Sequence, residues 1–241
     1  MKTLVIAELG HNWNGDMSMA KQMIQIAKDC RADIAKFQLY DTDTLGIKEA
    51  YGQEVYDDLK LSELTRAQLD ILKQECDKVE IEFLCSVFDE ERVDWTEAIG
   101  MERYKIASRS VYETGLIDKI IKTRKNIIWS DGMLDDRGRP ENLAECNNEV
   151  NTLYCVAKYP TEYTGLLFPP FEGDAVMHSG FSDHTIGIDA ALVAVSRGAW
   201  IIEKHFTLDR NMPGCDQKGS MEPAELKEMI KKIKIIEEIL Y

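Results

Sequence analysis

The stretch GFSDHTIGIDAALVAVSRGAWIIEKHF, residues 180–206, sets the expected architecture of this chain. It begins and ends with a short β-like run, and each run carries one of the chain's four histidines. The apolar segment between the runs has helical composition, with Thr185 as a candidate N-cap before it and Gly198 after it. This order predicts a βαβ unit whose two parallel strands lie side by side, about 4.8 Å apart.

The two histidines of this unit, His184 and His205, are at equivalent strand ends. Imidazoles placed in this way can reach one divalent ion, so the spacing predicts a metal site. The alternative is a pair of hydrogen-bonded structural histidines, because this spacing is only moderately specific. An ion held by two imidazoles keeps open positions with which it can polarise a carbonyl or orient water.

The same alternation of β-like runs and helical segments extends over the chain of 241 residues. The pattern predicts six further strands and five long helices in addition to the βαβ unit. The strands are expected over residues 3–9, 34–38, 81–86, 103–107, 126–130 and 151–156, and the helices over residues 17–30, 66–78, 90–98, 112–123 and 223–240. Eight β/α pairs in a chain close to the roughly 250 residues of a typical barrel predict a single (β/α)8 TIM barrel of the α/β class.

Two connections differ from the others. Residues 39–62 form a long connection, which is more often functional than ornamental and is a candidate lid. Residues 158–174 contain Pro160, Pro169 and Pro170 and form the least helical connection. At the first helix, Asp16 is the expected N-cap.

Composition excludes several classes of function. Hydrophobic residues make up 44% of the chain and charged residues 30%, and no apolar run is long enough for a membrane span. A net charge of −14 argues against nucleic acid and anionic membranes as partners. The six cysteines show no metal or disulfide spacing and are expected to be mostly core thiols. We expect a cytoplasmic protein.

Polar residues follow the predicted strands at their carboxyl ends, where a TIM barrel has its active site. The set consists of Glu8, Lys36, Gln38, Ser86, Lys105, Ser108, Ser130, Tyr159, Ser182, His184, Glu203 and His205. Barrel interiors are normally filled by branched apolar side chains, so this ring predicts a functional site. Lysines and hydroxyls in an acidic chain predict a local receptor for phosphate or carboxylate.

The two glutamates of the ring have two interpretations. Glu8 and Glu203 are available for proton transfer or for orienting hydroxyls and histidines. The alternative is that each forms a structural ion pair with Lys36 or Lys105.

Seven strings in this chain occur in the order seen in the sialic acid synthase family, and they span nearly its whole length. They are Ile6–Gly10, Ala35–Gln38, Tyr104–Ser108, Ser130–Met133, Cys155–Thr161, Ser182–Thr185 and Glu203–Phe206. The chain therefore resembles the catalytic barrel of that family, without the C-terminal antifreeze-like domain. We expect residues 1–241 to form one catalytic domain.

The resemblance implies condensation of phosphoenolpyruvate with the open-chain aldehyde of an N-acetylmannosamine-like sugar, giving a nonulosonic (sialic-type) acid and phosphate. It implies Mn²⁺ or Mg²⁺ on His184 and His205, which act in catalysis with Glu8, Lys105 and Glu203. The residues implied to bind phosphoenolpyruvate are Lys36, Lys105, Ser108, Ser130 and Ser182, with Ser86 nearby. Those implied to meet the acceptor are Gln38, Tyr159 and Asp216.

The chain departs from the family pattern at several positions. Ala157 replaces a common asparagine, and Trp13 stands where histidine is common, which leaves open whether His11 substitutes for it. Asp131 replaces a usual threonine, with Arg109 as a candidate to offset its charge. The antifreeze-like domain of family members completes the acceptor site of a partner subunit, so a homodimer and a separate capping subunit both remain open.

Two alternative functions are kept. One is a related condensation with a phosphosugar aldehyde, in the manner of 3-deoxy-octulosonate phosphate synthase, with Arg137 and Arg139 as its extra basic cluster. The other is a noncatalytic barrel that binds a sugar or a partner chain.

Overall fold

Eight parallel strands close into a barrel in a computed structural model that describes residues 2–173 and 177–240. Each strand pairs with the next, and the last pairs with the first. The strands are β1 Leu4–Gly10, β2 Ile34–Leu39, β3 Glu82–Val87, β4 Arg103–Ile106, β5 Asn126–Ser130, β6 Val150–Cys155, β7 Gly180–Asp183 and β8 Ile201–His205. The predicted (β/α)8 TIM barrel is confirmed.

Helices surround the barrel. Among the described residues they are α1 Met17–Asp29, α2 Ile47–Tyr51, α3 Gln53–Leu61, α4 Arg66–Val79, α5 Glu90–Ala98, α6 Thr114–Lys122, α7 Glu141–Glu145, α8 Asp189–Ser196 and α9 Pro223–Leu240. In the described part of the chain, no helix has the length and apolar character needed to cross a membrane.

The sequence explains how α1 begins and what it packs against. The Asp16 carboxylate accepts hydrogen bonds from the backbone amides of Ser18 and Met19, which confirms it as the N-cap. The buried side chains of α1 recur at helical spacing and form the stripe that packs on the sheet: Ala20, Met23, Ile24 and Ala27.

The predicted N-cap Thr185 is wrong. Helix α8 begins at Asp189, and Ile188 occupies the N-cap position without a side-chain cap. Thr185 instead donates its backbone amide to Asp183 Oδ1 at 2.8 Å and pairs with Thr161 in an isolated β-bridge. Gly198 does follow the helix, with a φ of +98° that favours glycine.

The connection over residues 39–62, the candidate lid, is largely helical. It contains a 3₁₀ turn at Thr42–Thr44 followed by α2 and α3. The hydroxyl of Tyr40 donates to the carbonyl of Leu59 at 3.0 Å, and Arg109 Nη2 donates to the carbonyl of Leu45 at 2.8 Å. These contacts hold the segment against the barrel as a packed insertion.

The connection over residues 158–174 contains a 3₁₀ turn at Tyr163–Gly165 and no α-helix in its described part, residues 158–173. Its last residue, Asp174, lies outside the described residues, as do the ends of the predicted domain, Met1 and Tyr241.

Candidate active site

Strand register brings the predicted polar residues together inside the barrel. Glu8 lies between Lys36 of β2 and His205 of β8, because β1 pairs with both strands. Ser182 pairs in register with Glu203, and Ser86 with Lys105. Side chains alternate between the two faces of a strand, so residues two apart, such as Glu203 and His205, both face the interior.

Four charged side chains form a buried network in this interior. Lys36 Nζ lies 2.8 Å from Glu8 Oε2 and 3.5 Å from Glu203 Oε2. Lys105 Nζ lies 3.6 Å from Glu203 Oε1. Both lysines are only 2% exposed. The ion pairs kept as an alternative for the two glutamates are therefore present.

Polar side chains complete the network. Lys36 donates to Ser86 Oγ at 3.1 Å, and Lys105 donates to Ser130 Oγ at 2.8 Å. The Ser182 hydroxyl donates to Glu203 Oε1 at 2.9 Å. Gln38, another residue of the predicted ring, donates from Nε2 to Glu8 Oε1 at 2.9 Å. Each lysine thus has a serine partner that can also contact a bound anion.

Ser108 lies slightly apart from these contacts. Its hydroxyl accepts a hydrogen bond from the Gly132 amide at 3.2 Å and lies 3.5 Å from Cys155 Sγ.

The charges of the network shift one another's pKa values. Burial would raise the pKa of Glu203, but Lys105 and Lys36 outweigh it and lower the pKa to about 2. Burial would lower the pKa of Lys36, yet the carboxylates of Glu203 and Glu8 raise it overall. Burial does lower the pKa of Lys105, and the charge of Lys36 adds to this despite the attraction of Glu203. Glu203 is therefore a carboxylate held ionised between two ammonium groups.

We expect the contribution of Glu203 to stability to disappear in acid. The folded protein holds the proton of Glu203 more weakly than the unfolded chain, so the contribution is fully present above pH 4.5 and is lost as pH falls towards about 2. Urea denaturation would measure the difference in unfolding free energy between the wild type and Glu203→Gln, and this difference should become smaller as the pH falls over this range. A difference that does not change with pH would contradict the assignment of Glu203 as an ionised carboxylate paired with lysines.

The two predicted metal ligands face each other. The ring centroids of His184 and His205 are 5.6 Å apart, which is compatible with an ion about 2.1 Å from one nitrogen of each ring. Nδ1 of His184 lies 3.0 Å from the carbonyl oxygen of Val156, and Nδ1 of His205 lies 3.3 Å from Asp216 Oδ2. The Val156 carbonyl orients the ring of His184 and leaves its Nε2 available for coordination, whereas His205 has only the nearby Asp216 carboxylate, without a hydrogen bond.

The protonation state of His184 also suits a metal ligand. Burial and the neighbouring His205 lower the pKa of His184 to about 3, so its imidazole is neutral at pH 7. The residues present fit the metal that the resemblance implies.

A cavity of about 150 Å³ opens beside the histidines. Its lining consists of Tyr159, Pro160, His184, His205, Cys215, Asp216, Lys218 and Gly219. The Tyr159 ring stands 4.1 Å from that of His184, measured between centroids. Two predicted acceptor residues, Tyr159 and Asp216, thus share the cavity with the histidines. A second cavity of about 250 Å³, lined by Lys2 and Asp33 among others, lies at the amino end of the barrel, away from these groups.

Two residues of this region were not predicted as site residues. His11 Nε2 lies 3.1 Å from Cys215 Sγ and 3.6 Å from Asp216 Oδ2. Burial would lower the pKa of His11, but Asp216 and other neighbours raise it to about 9. Cys215 is exposed, unlike the core thiols expected, whereas Cys155 and three others are buried. Its position next to Asp216 was the signal available in the sequence.

The cavity beside the histidines is not lined by Asp131, Arg109 or Trp13, the positions that depart from the family pattern or were suggested to compensate for such a departure. Asp131 Oδ2 pairs with His178 Nε2 at 2.5 Å, while Arg109 binds the carbonyl of Leu45, so Arg109 does not offset Asp131. Trp13 is 1% exposed and belongs to the hydrophobic core.

The two arginines suggested as a basic cluster for a phosphosugar also lie away from this cavity. Arg137 pairs with Asp135 at 2.7 Å, and the Arg139 guanidinium lies 5.2 Å from the Trp129 ring. Neither arginine lines the cavity beside the histidines.

A second buried ion pair holds the two histidine-bearing strand ends together. Lys204 Nζ lies 3.0 Å from Asp183 Oδ2, and both side chains are completely buried. Lys204 also donates to the carbonyl of Thr185 at 2.5 Å. Because Asp183 and Lys204 are in register and directly precede His184 and His205, this pair fixes the relative position of the imidazoles.

Replacing Lys204 with methionine is expected to destabilise the protein by about 3 to 5 kcal/mol, because it leaves the Asp183 charge buried without its partner. Urea denaturation would measure the change. The double variant Asp183→Asn/Lys204→Met should recover part of the loss. Lys2→Met, which removes an exposed pair with Asp33, is the control and should be nearly neutral. A similar small effect for Lys204→Met would contradict the argument.

The comparison with known proteins agrees with this geometry. The model of the NeuB family matches residues 23–241. The chain belongs to the NeuB family. An N,N'-diacetyllegionaminic acid synthase of Campylobacter jejuni is 37% identical to it over 259 residues, covering 99% of this chain and 78% of that protein.

Two further NeuB-family comparisons extend the match. The N-acetylneuraminate-9-phosphate synthase of Homo sapiens is 28% identical over 260 residues, covering 98% of this chain and 70% of that protein. The crystal structure of N-acetylneuraminic acid (sialic acid) synthetase from Leptospira borgpetersenii, in complex with citrate, superposes with a TM-score of 0.85 at 29% identity. The superposition covers 100% of this chain and 85% of the Leptospira borgpetersenii chain. The resemblance to sialic acid synthases is confirmed, and the chain is an enzyme of this synthase family.

Proposed function

We propose that this NeuB-family synthase condenses phosphoenolpyruvate with the open-chain aldehyde of an N-acetylmannosamine-like sugar, giving a nonulosonic acid and free phosphate. One observation carries the proposal: a buried network of two lysines and two glutamates lies next to a pair of facing imidazoles at the mouth of the barrel. Two relatives are named as synthases of N,N'-diacetyllegionaminic acid and of N-acetylneuraminate 9-phosphate, and these names support the same substrate class.

Lys36 and Lys105 would bind the phosphate and carboxylate of phosphoenolpyruvate. Their ammonium groups supply local positive charge in a chain whose net charge is −14, and they do so where water is largely excluded. The hydroxyls proposed to add hydrogen bonds are those of Ser86, Ser108, Ser130 and Ser182. Glu203 keeps the two lysines at their present spacing until the anion arrives.

His184 and His205 would hold Mn²⁺ or Mg²⁺. Bound there, the ion supplies Lewis acidity that polarises the acceptor aldehyde. The carbonyl of Val156 keeps the ring of His184 in the coordinating orientation, and the carboxylate of Asp216 lies 3.3 Å from Nδ1 of His205.

The acceptor would occupy the cavity beside the histidines. Tyr159 and Asp216 both line this cavity. Gln38 is held by Glu8 at the inner side and would contact a sugar hydroxyl. These three residues set the position of the aldehyde against phosphoenolpyruvate.

The reaction is balanced without a redox partner. C3 of phosphoenolpyruvate forms a bond to the aldehyde carbon, and the aldehyde oxygen becomes a hydroxyl. Water then adds at C2, the C2–O bond to the phosphoryl group breaks, and phosphate leaves. Lys36 and Lys105 would neutralise the charge on the departing phosphate. Glu8, which Lys36 and Gln38 hold in place, is positioned to accept and return the protons.

A homodimer or a separate capping subunit, and a cytoplasmic location, remain predictions.

Phosphate release tests the proposed function. Incubation with phosphoenolpyruvate and Mn²⁺ should release phosphate only when a suitable aldose is added, because the C–O bond breaks after the new C–C bond has formed. The panel should contain N-acetylmannosamine, its 6-phosphate and arabinose 5-phosphate. We expect release with an N-acetylated hexosamine. Release with arabinose 5-phosphate alone would favour the phosphosugar alternative, and no release with any aldose would favour the binding-protein alternative.

A further inference from the structure

We propose that His11, Cys215 and Asp216 form a second cation site, adjacent to the paired histidines, that takes one thiophilic divalent ion of the zinc class. The site lies at the rim of the cavity, between the loop after β1 and the loop after β8. It adds a ligand site to the one used in the proposed condensation and does not depend on that reaction.

The geometry of the three ligand atoms carries the inference. His11 Nε2 is 3.1 Å from Cys215 Sγ and 3.6 Å from Asp216 Oδ2, and all three ligand atoms lie within 4.8 Å of one another. Zinc bonds of about 2.0 to 2.3 Å to nitrogen, oxygen and sulfur place neighbouring ligand atoms at separations of about 3.5 Å. An ion can therefore contact the three atoms with only small side-chain movements.

The two loops are held in place by buried side chains behind the ligands. Gln217 donates from Nε2 to the carbonyl of Asn12 at 3.0 Å, which joins the loop after β8 to the loop after β1. Asn12 donates from Nδ2 to Ser220 Oγ at 2.8 Å, and Ser220 donates to the carbonyl of Asp216 at 2.7 Å. Because Asn12 and Gln217 are fully buried, the ligand atoms are positioned before any ion binds.

The donor set favours a different metal from that of the histidine pair. A thiolate prefers zinc and similar soft ions, whereas Mn²⁺ and Mg²⁺ prefer oxygen ligands. Three protein ligands leave a fourth position open. Cys215 and Asp216 also line the cavity beside the histidines. Asp216 connects the two sites, since its Oδ2 also lies 3.3 Å from His205 Nδ1. An ion on Asp216 would therefore change the charge that lies beside His205.

Cobalt titration of the full chain tests the site. Co²⁺ is the probe, because a cobalt–thiolate bond gives a charge-transfer band in the near ultraviolet. We expect this band in the wild type, its loss in Cys215→Ser, and a loss of cobalt affinity on the order of 100-fold or more in His11→Gln. Zn²⁺ should displace the cobalt, and excess Mn²⁺ should not.

Two variants separate this site from the histidine pair. Cys155 lies 3.8 Å from His184 Nδ1 and is the nearby thiol that could mimic the signal, so Cys155→Ser is the matched control and should keep the band. His184→Ala should keep it too. The proposal is overturned if the wild type shows no band, if the band survives in Cys215→Ser, or if Cys155→Ser or His184→Ala removes it. Because the readout is cobalt absorbance, failure here is distinct from absence of phosphate release.

Discussion

Replacement of His205 with alanine is expected to lower kcat on the order of 1,000-fold or more. The imidazole of His205 is one of the two proposed ligands of the ion, and its ring centroid lies 5.6 Å from that of His184. A Lewis acid contributes several kcal/mol to the transition state, and each 1.4 kcal/mol is a factor of ten in rate. Loss of one of two ligands should remove most of this contribution.

The measurements are steady-state phosphate release and Mn²⁺ affinity by calorimetry. His178→Ala is the matched control, because His178 pairs with Asp131 and does not line the cavity beside the histidines. It should keep both activity and Mn²⁺ binding. If His205→Ala retained the wild-type kcat and Mn²⁺ affinity, the metal assignment would have to be abandoned.

Replacement of Lys105 with methionine is expected to weaken phosphoenolpyruvate binding by about 2 to 4 kcal/mol, which is about 30- to 1,000-fold in KM. Methionine keeps the length of the side chain and removes its charge. The ammonium group is 2.8 Å from Ser130 Oγ in a buried site, where a charge-assisted contact to phosphate or carboxylate is strong. Glu203 would keep Lys36 as its remaining cationic neighbour.

The KM for phosphoenolpyruvate and the KM for the sugar should be measured separately, together with the unfolding midpoint. Lys125→Met is the control: Lys125 precedes β5 at the other end of the barrel and pairs with Glu97 at 2.6 Å. It should leave both KM values unchanged. An increase confined to the KM of the sugar would show that Lys105 does not bind phosphoenolpyruvate.

The barrel could be predicted because its signals are local. The stripe of α1, its Asp16 cap and the β-like runs each depend on residues that are neighbours in the chain. The ends of the elements are harder to predict from sequence, as Thr185 shows. Its position before an apolar segment predicts an N-cap. In the structure, Thr185 is bridged to Thr161 and hydrogen-bonded to Asp183, and α8 begins four residues later, at Asp189.

The sequence predicted which polar residues would lie together at the mouth of the barrel, but not how they contact one another. Parallel strands of a barrel end at one mouth, so the polar residues at the strand ends could be expected to meet there. The sequence did not reveal whether Glu8 and Glu203 would pair with the lysines, because this depends on strand register. The sequence did not predict the contact between His11 and Cys215, because it depends on two loops from opposite ends of the chain.

The sequence by itself determined the eight parallel strands, most of the helices between them, and the gathering of lysines, hydroxyls and histidines at one end of the barrel. Periodicity and strand direction act within each unit and need no distant contact. Only the tertiary structure decided which charged side chains contact one another. Closure of β8 onto β1 places Glu8 beside His205, and the buried contacts of Gln217 bring Cys215 and Asp216 to His11. Such contacts join residues far apart in the chain, so they exist only when the whole barrel has packed.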